Sequence, residues 1–339
     1  MTQPFGIAII GIGPAAKPHL QSLCDLQERV ALRHAVTRRP AAADMGPFAG
    51  LVQPHADLQR ALNDPFVQAV IIATAPDTHG EIARQCFAHG KHVLLEKPLD
   101  TSVARAGEIV AVARAAGLSL GVVLQHRFRP GSQALALVLA QGRLGRIQAA
   151  SVRVPWWRPQ SYYDIAGRGT MARDGGGVLM TQAIHSIDLF RALIGVRRVI
   201  AAQVTRTDLH QLETEDLVSA MFALEGGGIG HLMATTALYP GRPESLELIG
   251  EFGSANLKGG SLQVHLLDGT KLLTQAEGGT GSGANIMDFP NDAHRALLLD
   301  FVDAVEAGRE PLVTGEQALA TQMLIEEILL VGSRQIAAP

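Results

Sequence analysis

Long apolar runs, paired cysteines and an excess of either charge are all missing from this 339-residue chain, and each absence removes a class of protein. No stretch reaches the eighteen or so apolar residues of a membrane-spanning helix. The amino-terminal end has no basic leader region, and its apolar run is broken by Gly11 and Gly13, so a cytoplasmic protein is expected. The two cysteines, Cys24 and Cys86, stand far apart in no CxxC pair; they read as idle thiols of a reducing compartment. A formal charge of -3 gives no electrostatic case for nucleic acid or an anionic membrane as partner. Aromatic residues make up only 4% of the chain, which makes their crowding in one segment informative.

The length exceeds one typical core and suggests two domains. Val93-Leu94-Leu95 reads as a strand buried on both faces, as in a parallel sheet, and it ends in Glu96-Lys97-Pro98. Open α/β sheets bind ligands at the carboxyl ends of such strands. Lys97 is thus placed to hydrogen-bond or help deprotonate a substrate hydroxyl, unless the pair is an ordinary surface ion pair. At the amino terminus, Gly6 to Ile10 is a short strand followed by Gly11-Ile12-Gly13-Pro14-Ala15-Ala16 and a helix to about Glu28. This is a GxGxxA turn in the setting that a dinucleotide site demands. Gly11 makes the turn, Gly13 lets pyrophosphate approach, Ala16 packs the helix, and the helix end offers free N–H groups.

The second strand, 31–36, lacks the acid that usually accepts the ribose hydroxyls of NAD. It ends in Thr37-Arg38-Arg39 instead, so Arg38 or Arg39 can pair with a 2'-phosphate, and NADP is favoured over NAD. A third strand ends at Thr74-Ala75-Pro76, with Thr74 and Pro76 expected near the nicotinamide ribose, and His79 opens a helix to Ala88, where a structural role is the expectation. A helix from Ser102 to about Ala116 and a strand at 119–124 complete a doubly wound first domain of residues 1–125, with Gln125 at its edge.

From residue 126 the pattern changes. Trp156, Trp157, Arg158, Tyr162, Tyr163, Arg168 and Arg173 gather in a loop that suggests a pocket wall for a polar ring or an anionic group, or else a packed loop over a sheet. After Gly175-Gly176-Gly177 a helix from 178 to 194 carries Thr181, His185 and Asp188 on one face by offsets of four and three. His185 is the proton-transfer candidate. Metal ligation by His185 and Asp188 lacks a third ligand at recognisable spacing, so no metal is expected. Apolar runs between 198 and 275, separated by turn residues, imply a largely antiparallel sheet whose free face suits another subunit. A glycine-rich linker, 277–291, expected to be mobile, leads to two last helices, about 292–307 and 315–333.

Together the GxGxxA turn, Ala73-Thr74-Ala75-Pro76-Asp77-Thr78-His79, Gly90-Lys91-His92-Val93-Leu94-Leu95-Glu96-Lys97-Pro98, and Gly175-Gly176-Gly177 leading to His185-x-x-Asp188 resemble the Gfo/Idh/MocA family of glucose-fructose oxidoreductase and inositol dehydrogenase over nearly the whole chain. The resemblance implies an α/β fold: a Rossmann domain, then a domain of residues 126–339 with a large open sheet through which dimers or tetramers form. The last helix of that second domain is allowed to pack back on the first. It also implies hydride transfer between NADP or NAD and a secondary hydroxyl or ketone of a sugar, cyclic polyol or sugar acid. Lys97 and His185 match the family's catalytic pair, and Lys97-Pro98 its cis bond. Ile12, Pro14, Ala15, His79, Glu96, Lys97 and Gln125 join the expected cofactor site; Trp157, Arg158, Tyr163, Arg168, Arg173, Thr181 and His185 the substrate site. Many relatives carry aspartate where this chain has Thr181, which counts against strict inositol dehydrogenase chemistry. A catalytically silent dinucleotide sensor and a dihydrodiol-type dehydrogenase are the alternatives.

Overall fold

The computed structural model describes residues 3–285 and 288–336. Of the expected linker 277–291, Ile286 and Met287 lie outside the described residues. The chain divides into two compact units, Met1–Val123 with Asn291–Ala320, and Leu124–Pro290 with Thr321–Pro339.

In the first unit, β1 (Phe5–Ile10), β2 (Val30–Val36), β3 (Ala69–Ile72), β4 (His92–Leu95) and β5 (Leu120–Val122) form one sheet in the order β2-β1-β3-β4-β5. Every pairing is parallel. All residues of β1 and β3 are buried, the signature of a sheet covered on both sides. The helices are α1 (Ala16–Asp25), the short α2 (Leu58–Leu62), α3 (His79–Ala88) and α4 (Val103–Ala116). Their ends follow local chemistry. Ser102 caps α4 by accepting the Arg105 N–H, while Gly90 and Gly117 take the left-handed conformation just past α3 and α4.

The second unit opens with α5 (Pro130–Ala140), β6 (Ile147–Pro155), and the short α6 (Gln160–Tyr163) and α7 (Met171–Asp174). Then come α8 (Ile184–Ile194), β7 (Val196–Thr205), β8 (Leu217–Leu224), β9 (Ile229–Thr235), β10 (Ser245–Gly250), β11 (Gly253–Lys258), β12 (Ser261–Leu266) and β13 (Lys271–Thr274). The eight strands run β13-β12-β11-β10-β6-β9-β8-β7. Six of the seven pairings are antiparallel; β6 and β9 pair in parallel. Strands alternate, with Val152, Leu232, Leu246 and Leu262 buried and Arg153, His231, Glu247 and Gln263 turned out, so one face makes the core and the other stays open.

The chain then returns. α9 (Asp292–Ala307) belongs to the first unit, and α10 (Gly315–Ile336) begins there and ends in the second. The expected second domain, 126–339, is therefore interrupted by Asn291–Ala320. The reason is the apolar stripe of α9: Leu297, Leu298, Phe301 and Val302 recur at helical spacing, all buried, each worth about 1.5–3 kcal/mol. Phe301 lies against Gly121 of β5, where any added Cβ would come within 2.7 Å of the ring. Arg29 and Asp25, at the far end of α1, complete the seam by binding Asp303 and Arg295.

Candidate active site

The turn after β1 is built for close approach. Gly11 has φ +93°, and a Cβ there would lie 2.6 Å from the Ala73 carbonyl oxygen, so no other residue fits. A Cβ at Gly13 would meet no protein atom; the space above it is open to a ligand. The N–H groups of Ile12, Gly13 and Ala15 have no protein acceptor among the described residues, whereas Ala16 donates to Gly13 and starts α1. Ala16 is fully buried, and Pro14 and Ala15 stay exposed at the turn. An open cradle with free donors at a helix start fits a dinucleotide pyrophosphate. At the end of β2, Arg38 and Arg39 are both exposed.

The end of β4 is fixed from both sides. Glu96 is buried with one carboxylate oxygen 2.8 Å from His19 Nε2, and the other accepts the Lys97 N–H. Burial raises the Glu96 pKa, but the hydrogen bond and charge of His19, with His294 and Lys97 behind them, outweigh it and hold the group below its usual range. The Lys97-Pro98 peptide is cis. His79 is fully buried, its Nδ1 3.0 Å from the Pro98 carbonyl and its Nε2 3.2 Å from that of Thr74. Its ring thus ties the β3 end to the turn after Lys97, and it is too buried to touch a cofactor itself. Thr74 accepts a hydrogen bond from Thr78, and Pro76 opens a 3₁₀ turn.

In the second unit the segment before α8 departs from a plain helix. Leu179–Ala183 forms a π-helical turn and α8 follows from Ile184. The expected single helix over 178–194 is therefore not uniform: its first turn, with Thr181, is π-helical, and the regular α-helix carries His185 and Asp188. Thr181 donates its hydroxyl to the Gly177 carbonyl at 2.7 Å. Asp188 is fully buried and receives both ends of the Arg127 guanidinium at 2.6 Å, plus Thr321 Oγ1 at 2.8 Å. With those partners Asp188 is an anchor rather than a metal ligand. His185 is 7% exposed.

The sequence pattern gave no sign of Glu215. Its buried carboxylate accepts the N–H groups of Gly177 and Leu179, and burial pushes its pKa up. Gly177 is required because a Cβ there would sit 1.9 Å from the Glu215 carbonyl oxygen. That close approach gives the triple glycine its purpose.

The aromatic segment is packed more than it is open. Arg158, 2% exposed, donates to the carbonyls of Trp157, Gly281 and Gly283 and to Gln182 Oε1, all within 2.8 Å. Its two terminal nitrogens are committed to these groups while its buried Nε has no partner among the described residues, so the side chain expected at the substrate holds the 281–283 backbone. Burial accordingly lowers its pKa. Gln182 passes the link on to the Tyr162 hydroxyl. Tyr163 binds Thr236, and burial raises its pKa. Trp157 remains half-buried against His210 and Tyr239. Arg168 stacks on Tyr162 at 4.1 Å and Arg173 reaches the Ala166 carbonyl; both keep part of their surface exposed. Gln125 carries a buried Oε1 with no partner among the described residues.

Two family models match the chain: an oxidoreductase family with an NAD-binding Rossmann fold over residues 5–124, and the GFO/IDH/MocA C-terminal domain over 132–256. The chain belongs to the GFO/IDH/MocA oxidoreductase family. Among GFO/IDH/MocA relatives, it is 24% identical to the myo-inositol 2-dehydrogenase of Thermotoga maritima, covering 94% of this chain and 93% of that one. It is 28% identical to the 1,5-anhydro-D-fructose reductase of Ensifer adhaerens over 84% of each. The WlbA dehydrogenase of Bordetella pertussis, solved in complex with NADH and UDP-GlcNAcA, superposes with a TM-score of 0.82 at 26% identity, covering 98% of this chain and 97% of that one. Among the described residues no helix is long and apolar enough to cross a membrane.

Proposed function

We propose that this protein transfers a hydride between a nicotinamide dinucleotide and a secondary hydroxyl or ketone of a sugar or cyclic polyol. The carrying observation is the turn at 11–16, whose free N–H groups and open space over Gly13 suit a pyrophosphate, in a chain of an NAD-binding oxidoreductase family. The bound nicotinamide supplies the hydride acceptor or donor. Lys97 hydrogen-bonds the reacting oxygen and stabilises charge developing there, and His185 takes or gives the proton. Gln125 Oε1, buried and lacking a protein donor, offers an acceptor to the cofactor. The substrate classes named for the relatives support a polyhydroxylated ring. A sugar acid is the second reading, favoured by the part-exposed Arg168 and Arg173; Arg158 takes no part in it.

The exposed Arg38 favours NADP over NAD, since a guanidinium pairs with a 2'-phosphate. Fluorescence titration is expected to give tighter binding of NADPH than NADH, with the preference lost in Arg38→Ala, followed by turnover on a panel of neutral and acidic sugars. Failure of either nucleotide to bind would overturn the whole assignment; equal affinity would overturn only the phosphate reading.

The open face of the eight-stranded sheet supports self-association. By register Ile229, Ala149 and Ile249 form one row across β9, β6 and β10, and Ile229 and Ile249 are 46% and 59% exposed. A second copy of the chain would cover them. Light scattering on the purified protein is expected to give a dimer or tetramer; a monomer at micromolar concentration would sink the idea.

A further inference from the structure

Oxidation of an alcohol by a nicotinamide releases a proton, and the second unit holds a feature suited to receive it. His126 is 3% exposed, and its ring centroid lies 5.1 Å from that of His185 with the planes tilted by 31°. The contact is enforced by the chain: Arg127, the next residue, is forked onto Asp188, three residues beyond His185 in α8. The clamp holds the turn bearing His126 against the helix bearing His185.

His126 also lines a small cavity within this unit, of about 20 Å³, walled in addition by Arg129, Ser132, Ser186, Leu189 and Glu244. A space of roughly 10–15 Å³ admits one water if two to four polar groups reach it. Two candidates are ready. Ser132 Oγ and Ser186 Oγ are buried and have no hydrogen-bond partner among the described residues. Buried hydroxyls are seldom left in that state, so two on the wall of one cavity point to an ordered water.

We propose that His126 is a proton-relay residue between His185 and a water held in this cavity by Ser132 and Ser186. The proposal rests on His185 acting as the proton-transfer group. In oxidation the carbinol C–H bond breaks and its electron pair leaves with the hydrogen as hydride to the nicotinamide, while the O–H proton goes to His185. His185 hands a proton to His126, and His126 hands one to the water, which passes one of its own to solvent through the cavity's open side and ends neutral. Both rings end neutral, and reduction runs the sequence backwards. Other nearby groups are occupied. The Thr181 hydroxyl is donated to Gly177, Asp188 is held by Arg127 and Thr321 with Arg191 3.9 Å away, and Glu244 is paired with Arg129 and accepts from Trp156. Two imidazoles in contact also resist carrying two positive charges together, which favours passing a proton on.

A crystal structure at a resolution that orders water is expected to show one in the cavity within hydrogen-bond distance of Ser132, Ser186 and His126; a dry cavity would overturn the relay. In stopped-flow assays with a pH indicator, using whichever sugar or polyol the panel selects, His126→Gln should cut turnover about 10²-fold. It should also raise the solvent deuterium isotope effect, leave NADH affinity unchanged, and respond to added imidazole. Unchanged turnover and isotope effect in His126→Gln would refute the proposal. The double change Ser132→Ala with Ser186→Ala should move the same readouts in the same direction and serves if His126→Gln does not fold. His185→Gln, assayed alongside, separates the two levels. Full activity there refutes the site reading itself, whereas loss there without loss in His126→Gln refutes the relay alone.

Discussion

Replacing Lys97 by methionine is expected to lower turnover about 10³-fold while leaving NADH affinity unchanged. Methionine keeps most of the apolar stem and removes only the ammonium group, so loss of packing is a small part of the effect. The backbone around Lys97 is held by other groups as well. Glu96 is tied to His19 on one side, and the carbonyls of Pro98 and Leu99 are within reach of His79 Nδ1 on the other. The variant should therefore fold and bind dinucleotide through the 11–16 turn as before. Nicotinamide absorbance follows turnover and fluorescence titration follows binding. Loss of turnover with intact binding supports the enzyme reading. Intact turnover would remove Lys97 from the chemistry, and binding with no turnover even in the unaltered chain on a broad substrate panel would favour a dinucleotide sensor.

Asp188→Ala is expected to destabilise the second unit by about 3–5 kcal/mol. The carboxylate is fully buried, and removing it strands Arg127, whose side chain is 9% exposed, together with the charge of Arg191 nearby. The Thr321 hydroxyl loses its acceptor as well. The cost arises from leaving a guanidinium buried without its partner, not from the strength of the pair. Replacing both members with apolar residues, Arg127→Met with Asp188→Leu, should therefore recover much of the loss. Denaturant midpoints of the two single variants and the double variant measure this. A single variant within about 1 kcal/mol of the unaltered protein would show that water reaches the pair.

Both sheets were legible because hydrophobic periodicity and turn residues act locally. Two consecutive buried strands with a glycine turn between strand and helix can hardly form anything but a parallel α/β unit, and β8 to β13 fall within the stretch 198–275 read as a largely antiparallel sheet. What escaped reading depends on distant partners. Asn291–Ala320 joins the first unit because Phe301 fits over Gly121, a match between residues 180 positions apart in the chain that no local pattern announces. Arg158 resembled an anion reader by composition, yet the carbonyls that claim its donors lie more than 120 residues later. Glu215 carries no local mark, because its place comes from the close approach of Gly177, nearly forty residues earlier in the chain. The side chains of the candidate site were nameable from motif spacing; their accessibility was not, because burial is settled by the whole unit.

The π turn at Leu179–Ala183 also fixes how this segment tolerates changes in length. A wide turn carries one residue more than the α-helix around it, so deleting a single residue there would let the helix wind regularly while the segments on either side keep close to their present facing. The same deletion within the regular helix after Ile184 would instead rotate everything upstream by about 100° and draw it in by about 1.5 Å, turning the Gly177 and Leu179 N–H groups away from Glu215. The wide turn is thus where this helix can lose a residue with least disturbance, and chains that keep the same glycines but lack the extra residue should keep the same approach to the histidine.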